Sequence, residues 1–191
     1  MKKLLLYTTL FLNSLLFAQT KSNLEKINLL LNEVCGDIKA NITDTVKLNF
    51  QAPANLYFLK NRTEIYLLES DIFLNDNSFD TLTFVIEEAG ISYENITKTG
   101  FFGDYIVERY ANIKGTYSLK KQGNIILAKD FNLTNKDSVD YEDINKLENY
   151  SLPFTRGNSP PEPITPSIIE PLIAISGAVL TVVLFFTVRS K

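Results

Sequence analysis

Between residues 22 and 38 the apolar side chains recur every three or four positions. Leu24, Ile27, Leu31, Val34 and Ile38 share one face, which predicts an amphipathic helix. Ser22, with Glu25 three residues on, forms the capping-box pattern that starts such a helix. The period then drops to two: Val46, Leu48 and Phe50 alternate with Lys47, Asn49 and Gln51, predicting a half-buried strand over 45–51. Past Pro53 the helical spacing returns, with Leu56, Leu59, Thr63, Tyr66 and Leu67 on one face of a second helix over 55–70. Asp71 to Leu74 reads as a short strand after it.

From residue 81 the pattern is one of strands. Leu82, Phe84 and Ile86 alternate with polar neighbours, and Gly90 predicts a bulge or bend before Ile91 and Tyr93. Gly100 and Gly103 mark a turn. Tyr105 to Leu119 then alternates at length, with Val107, Ala111, Ile113, Tyr117 and Leu119 on one face. Arg109 falls on that same apolar face, so it is either paired with a carboxylate or at a frayed position. Lys121-Gln122-Gly123-Asn124 is a tight reversal into a strand carrying Ile125, Leu127, Phe131 and Leu133. Helices first and antiparallel strands afterwards predict an α+β fold: a mixed, mainly antiparallel sheet with two helices on one face. Asp137, Asp140, Glu142, Asp143 and Glu148 read as a solvated acidic loop and short helix.

The two ends of the chain carry different signals. Met1-Lys2-Lys3 followed by the apolar stretch Leu4–Phe17 and a small residue at Ala18 has the pattern of a signal peptide over 1–18. Leu172 to Val188 runs seventeen residues without a charge, ~25 Å as a helix at ~1.5 Å per residue. With Ile168 and Ile169 it predicts one C-terminal transmembrane helix over 168–188. Leu172, Val183, Phe185 and Phe186 would lie in the bilayer, with Arg189 and Lys191 in a cytoplasmic tail, 189–191. Six of the seven prolines fall between Ser151 and Pro171, so 151–167 is expected to be an extended stalk. That leaves 19–150 as an extracytoplasmic domain.

Residues 19–167 hold fifteen basic and twenty-one acidic side chains, a net charge of −6. This balance speaks against nucleic acid as a partner. The chain has no His and one Cys, which excludes Ser-His-Asp and Cys-His nucleophile systems, thiolate clusters and His-ligated zinc. No phosphate-cradling Gly loop occurs, and Glu87 and Glu88, adjacent on a strand, point to opposite faces. No catalytic residue, cofactor or metal is therefore expected. Cys35 lies beside the first helical stripe and is expected to be buried. The Lys-, Asn- and Ile-rich usage and the lack of a disulfide partner fit a bacterial envelope protein. Leu152-Pro153-Phe154-Thr155-Arg156 resembles the sortase cell-wall sorting signal, Leu-Pro-any-Thr-Gly ahead of an apolar span and a basic tail. Arg156 stands where that family has Gly, at the bond that would be cleaved, so sorting is not expected.

Together these features predict a single-pass protein of the bacterial inner membrane, its domain in the periplasm and its C-terminus in the cytoplasm. The domain is expected to act without enzymatic activity, as a docking or scaffold subunit among other envelope proteins; a homo-oligomer is compatible with this. Long antiparallel strands invite strand addition, so the edge of Tyr105–Leu119 is the expected docking surface, with Tyr105, Val107, Arg109 and Tyr117 as its residues and the helical face of Leu24, Ile27 and Leu31 as second choice. Two alternatives are a small-molecule sensor with a pocket of Tyr93, Tyr105, Tyr110 and Tyr117, and a type I surface protein glycosylated at Asn41, Asn61, Asn95, Asn132 or Asn149.

Overall fold

The computed structural model describes residues 20–40, 42, 45–100, 103–161 and 169–189. The expected signal peptide lies outside them. The first helix, α1 (Asn23–Lys39), starts as its sequence predicts. The Glu25 amide donates to Ser22 Oγ at 3.3 Å, and the Ser22 amide donates to the Glu25 carboxylate at 2.6 Å. Of its predicted face Ile27, Leu31, Val34 and Ile38 are buried, joined by Leu30 and Cys35, while Leu24 is only partly buried. Strand β1 (Lys47–Gln51) follows, then a 3-10 turn at Ala54–Leu56 and helix α2 (Leu59–Glu69), which buries Leu59, Thr63 and Leu67. The short strand expected at Asp71–Leu74 is reduced to one parallel bridge between Val46 and Leu74. Asp71 takes a positive φ of 56°, which breaks the extended backbone there.

Three long strands make the rest of the sheet: β2 (Thr81–Lys98), β3 (Tyr105–Lys121) and β4 (Asn124–Asp140). The order is β1-β2-β3-β4, with β1 parallel to β2 and the other pairs antiparallel. The fold is thus α+β around a four-stranded mixed sheet, as expected. In β2 the buried positions switch from Leu82, Phe84 and Ile86 to Ala89, Ile91 and Tyr93. The switch is a β-bulge at Glu87, which falls between the pairs Ile86–Gly115 and Glu88–Lys114. The irregularity expected at Gly90 therefore sits three residues earlier. At the β3–β4 hairpin Gln122 and Gly123 both take positive φ, 47° and 89°, the geometry of a type I′ turn that matches the twist of its strands.

Phe50, Phe84 and Phe131 stack in sequence across β1, β2 and β4, with ring centroids 6.1 and 5.5 Å apart. Gly115 on β3 makes room for this row. A Cβ there would lie 2.0 Å from the Val85 carbonyl oxygen and 2.7 Å from Phe131 Cζ. The Phe131 ring covers the glycine from the neighbouring strand.

The chain continues past the expected domain end at residue 150. After a 3-10 turn (Tyr141–Asp143) and the short helix α3 (Ile144–Leu147), a further 3-10 turn at Pro153–Thr155 buries Phe154 and Thr155. The residues that resemble a sorting signal are therefore part of the domain. The chain divides between Pro160 and Pro161, which moves the start of any stalk about ten residues downstream of the composition change. Pro153 serves as the first residue of a turn, where its missing amide costs nothing.

Helix α4 (Ile169–Arg189) has 21 residues and belongs to the second unit. Among the described residues no helix is long and apolar enough to cross a membrane. The uncharged stretch of α4, 171–188, rises ~27 Å against a hydrocarbon core of ~30 Å. A helix is thus present at Ile169–Arg189, but the membrane span expected over 168–188 is not borne out. Its large apolar side chains are exposed, with Leu172, Leu180, Val183, Phe185 and Phe186 each more than half accessible. Lys191 lies outside the described residues.

Candidate docking edge and the polar network behind it

Sheet order decides which strand can accept a partner. β3 is bonded to β2 on one side and to β4 on the other, so both of its edges are used. The expectation that Tyr105–Leu119 offers a free edge is corrected accordingly. Val107, Arg109 and Tyr117 are buried at 1%, 0% and 1% exposure. Tyr105 is half-buried, with the Lys98 ammonium 5.4 Å from its ring centroid. Among the described residues the sheet ends in the five-residue β1 on one side and in β4 on the other, and β4, seventeen residues long and paired with β3 alone, is the longer outer edge. β4 contains no proline, so every residue along that edge keeps its amide donor.

The interior behind β4 is held by an unusual side chain. Arg109 is fully buried, and its guanidinium grips Asp137 in a bidentate pair, Nε to Oδ1 at 2.8 Å and Nη2 to Oδ2 at 2.7 Å. Nη1 donates to the Lys21 carbonyl at 2.8 Å and to Asn23 Oδ1 at 2.9 Å. The Asn23 amide in turn donates to the Tyr93 hydroxyl at 2.7 Å and to the Thr155 carbonyl at 2.8 Å. Lys26 adds a second cation at Asp137, 2.8 Å away. One cluster thus ties the start of α1, the strands β2, β3 and β4, and the last turn of the domain. Burial works against ionisation of Asp137, but hydrogen bonds from Arg109 and Lys26 outweigh it and hold the carboxyl below its ordinary range. Of the two origins open for Arg109, carboxylate pairing is the one found.

Two more clusters flank β4. On the helix side Lys129 reaches Asp37 at 2.7 Å, and Asp37 also accepts from the buried Tyr117 hydroxyl at 2.7 Å. On the opposite face Lys136 meets Glu108 at 2.7 Å, joined by Asn95 and Tyr110. Hydrogen bonds from Lys136, Asn95 and Tyr110 pull the Glu108 pKa down to about 2. Glu108 and Lys136 are therefore fixed charges at any physiological pH.

The four tyrosines proposed to line a pocket are divided. The Tyr93 and Tyr117 hydroxyls are engaged inside the domain, while Tyr110 lies on the opposite face of β3 against Glu108 and Lys136. Among the described residues no group of three or more Cys, Asp or Glu side chains is placed to hold a metal ion. Cys35 is buried and without a disulfide partner, and burial pushes its thiol up to about 12. At neutral pH it is a protonated core side chain rather than a nucleophile. The sequence places this strand at Ile125–Leu133; what it does not show is that the strand runs on to Asp140, through Asp137 and Asp140 of the expected acidic loop, and forms an outer edge of the sheet.

No family model matches this chain, and no curated protein does either. Among solved structures it is similar to a minor lipoprotein from Acinetobacter baumannii, with 20% identity over 53% of this chain and 69% of that one, at a TM-score of 0.36. It is also similar to the rare lipoprotein B from Shewanella oneidensis, with 11% identity over 49% of this chain and 68% of that one, at a TM-score of 0.29. Likenesses this low leave fold and function to rest on the chain's own residues.

Proposed function

We propose that this is a membrane-anchored protein of the bacterial envelope whose α+β domain, on the periplasmic side of the inner membrane, serves as a non-enzymatic docking subunit. The observation that carries this reading is α4. Its apolar side chains are exposed along the helix, from Leu172 to Phe186, an arrangement that water does not tolerate and lipid does. An uncharged stretch of ~27 Å is somewhat short for a bilayer core, and local thinning of the bilayer accommodates such a mismatch at fractions of a kcal/mol per Å. The docking part of the reading rests on the unpaired β4 edge. The absence of His and the burial of Cys35 leave few residue types for covalent chemistry.

Fractionation of cells expressing the full chain tests the anchor. The protein is expected in the membrane pellet, resistant to alkaline carbonate and released by detergent. A chain ending at Glu162 is expected in the soluble periplasmic fraction. Recovery of the full chain in a soluble fraction would overturn the anchor, and a detergent extract in which it is always a lone monomer would overturn the docking role.

A further inference from the structure

The free edge of β4 carries a charge pattern complementary to itself. Lys129-Asp130 and Lys136-Asp137 are two Lys-Asp pairs set seven residues apart on one strand. Lay two copies of β4 antiparallel, with Leu133 opposite Leu133. Lys129 then faces Asp137 of the second copy, and Asp130 faces Lys136. Both pairs recur across the two-fold axis, giving four ion pairs.

Neighbouring registers lose this match. A shift of one residue sets Lys129 against Lys136, or Asp130 against Asp137, and directly opposed like charges destabilise a sheet. A shift of two sets all four charges against uncharged residues. The strand's own irregularity marks the same centre. Ile126 is left out of the β3–β4 register, and regular pairing runs from Leu127 to Asp140. The Leu133-centred register uses thirteen of those fourteen positions, with Leu127 facing Val139 at either end.

We propose that β4 joins a second copy of this chain, antiparallel and centred on Leu133, into one continuous eight-stranded sheet. The pairing deepens the docking reading by naming the partner of the free edge; it does not depend on the membrane anchor. Because opposed residues in this register share a face, both helix layers lie on the same side of the joined sheet. On that side the contact lengthens two charge clusters already present. Asp37 holds Lys129, and Arg109 with Lys26 holds Asp137, so signs alternate from one copy into the other. On the opposite side Asp130, which is exposed, meets Lys136. The half-buried Leu127 and Leu133 gain apolar neighbours.

Cysteine cross-linking of the full chain in its native membrane tests the register. Directly opposed residues in antiparallel strands have Cα atoms about 4.5–5.5 Å apart, within disulfide reach. Leu133→Cys is therefore expected to give disulfide-linked dimers under mild oxidation, with the buried Cys35 not competing. Lys129→Cys alone should give none, because the two copies of that residue would sit eight positions apart, ~27 Å. A mixture of Asn132→Cys and Thr134→Cys chains, both exposed sites, should link to each other and guards against a folding fault at Leu133. Asp130→Lys, which places like charges together twice, should weaken dimerisation about tenfold or more. No link from either the Leu133 variant or the mixture, self-linking of Lys129→Cys, or links to a different protein would overturn the proposal. A chain that stays in the membrane yet never cross-links keeps the anchor and loses the dimer. One that cross-links from a soluble fraction does the reverse.

Discussion

Replacing Arg109 with methionine is expected to destabilise the domain by about 3–5 kcal/mol, the usual cost of removing one partner from a buried ion pair. For a domain of ordinary stability, ~5–15 kcal/mol, that is a large share of the total. The guanidinium is wholly buried and spends three of its nitrogens on Asp137, Lys21 and Asn23. Methionine fills much of the volume but leaves these acceptors without their buried donors, so the loss is electrostatic rather than a cavity effect. Urea denaturation followed by circular dichroism measures it. Adding Asp137→Leu to Arg109→Met should recover part of the loss, since an apolar pair of similar volume often replaces a buried ion pair at little cost. If the double variant is no better than the single one, the cation matters for something other than its partner.

The same pair gives the domain a signature in acid. The Asp137 carboxyl is held below its unfolded value, so it contributes stability that is complete above that value, ~3.9. The contribution is lost as pH falls through the lower, folded value. Melting temperature should therefore decline below about pH 4, and Asp137→Asn should start lower and flatten that decline. A parallel decline in the two proteins would mean that other carboxylates control acid unfolding.

Gly115→Ala carries the second large effect, and its origin is steric. The added methyl would come within 2.0 Å of the Val85 carbonyl oxygen, an atom of the neighbouring strand that cannot turn aside. Overpacking usually costs about 1–3 kcal/mol, and more where backbone must move; we expect the upper end or beyond, read from the same denaturation curves. Trimming Phe131 to leucine relieves the contact with the ring and leaves the one with the carbonyl. The double variant should therefore remain destabilised. Full rescue by Phe131→Leu would show that the aromatic row, not the strand spacing, sets the limit.

These positions also show how far the chain could be read from its residues. The capping box at Ser22 and Glu25, the helical stripe from Ile27 to Ile38 and the Gln122-Gly123 reversal are local. Each is written within a few adjacent residues, and each appears where expected. What depends on pairing between distant strands was not legible. The alternation in Tyr105–Leu119 reports a buried face, and a central strand and an edge strand can show the same one. The bulge at Glu87 is defined by the register against β3, so its trace in β2 is only a change of parity, for which Gly90 is the nearest local cause. Composition misled at the C-terminal boundary, where prolines suggested a stalk. Phe154 and Thr155 are core residues nonetheless, because one proline at the head of a tight turn does not prevent the next two side chains from packing. Arg109 was visible as an anomaly, a cation on an apolar face, but its partner lay 28 residues away in a stretch that looked like solvent-exposed acid.

The contact between Asn23 and Thr155 gives the fold a near-circular course. The side chain of the first residue of α1 donates to the carbonyl of the last buried turn at 2.8 Å, across 132 residues of sequence. Start and finish of the folded stretch are thus stitched at one pole, and the backbone between them runs as a loop that returns to its origin. Where a chain enters its fold is then a matter of gene order more than of architecture. A short linker joining the two ends, with a new opening at the exposed Gln122-Gly123 turn, would preserve every strand pairing except the hairpin's own connection.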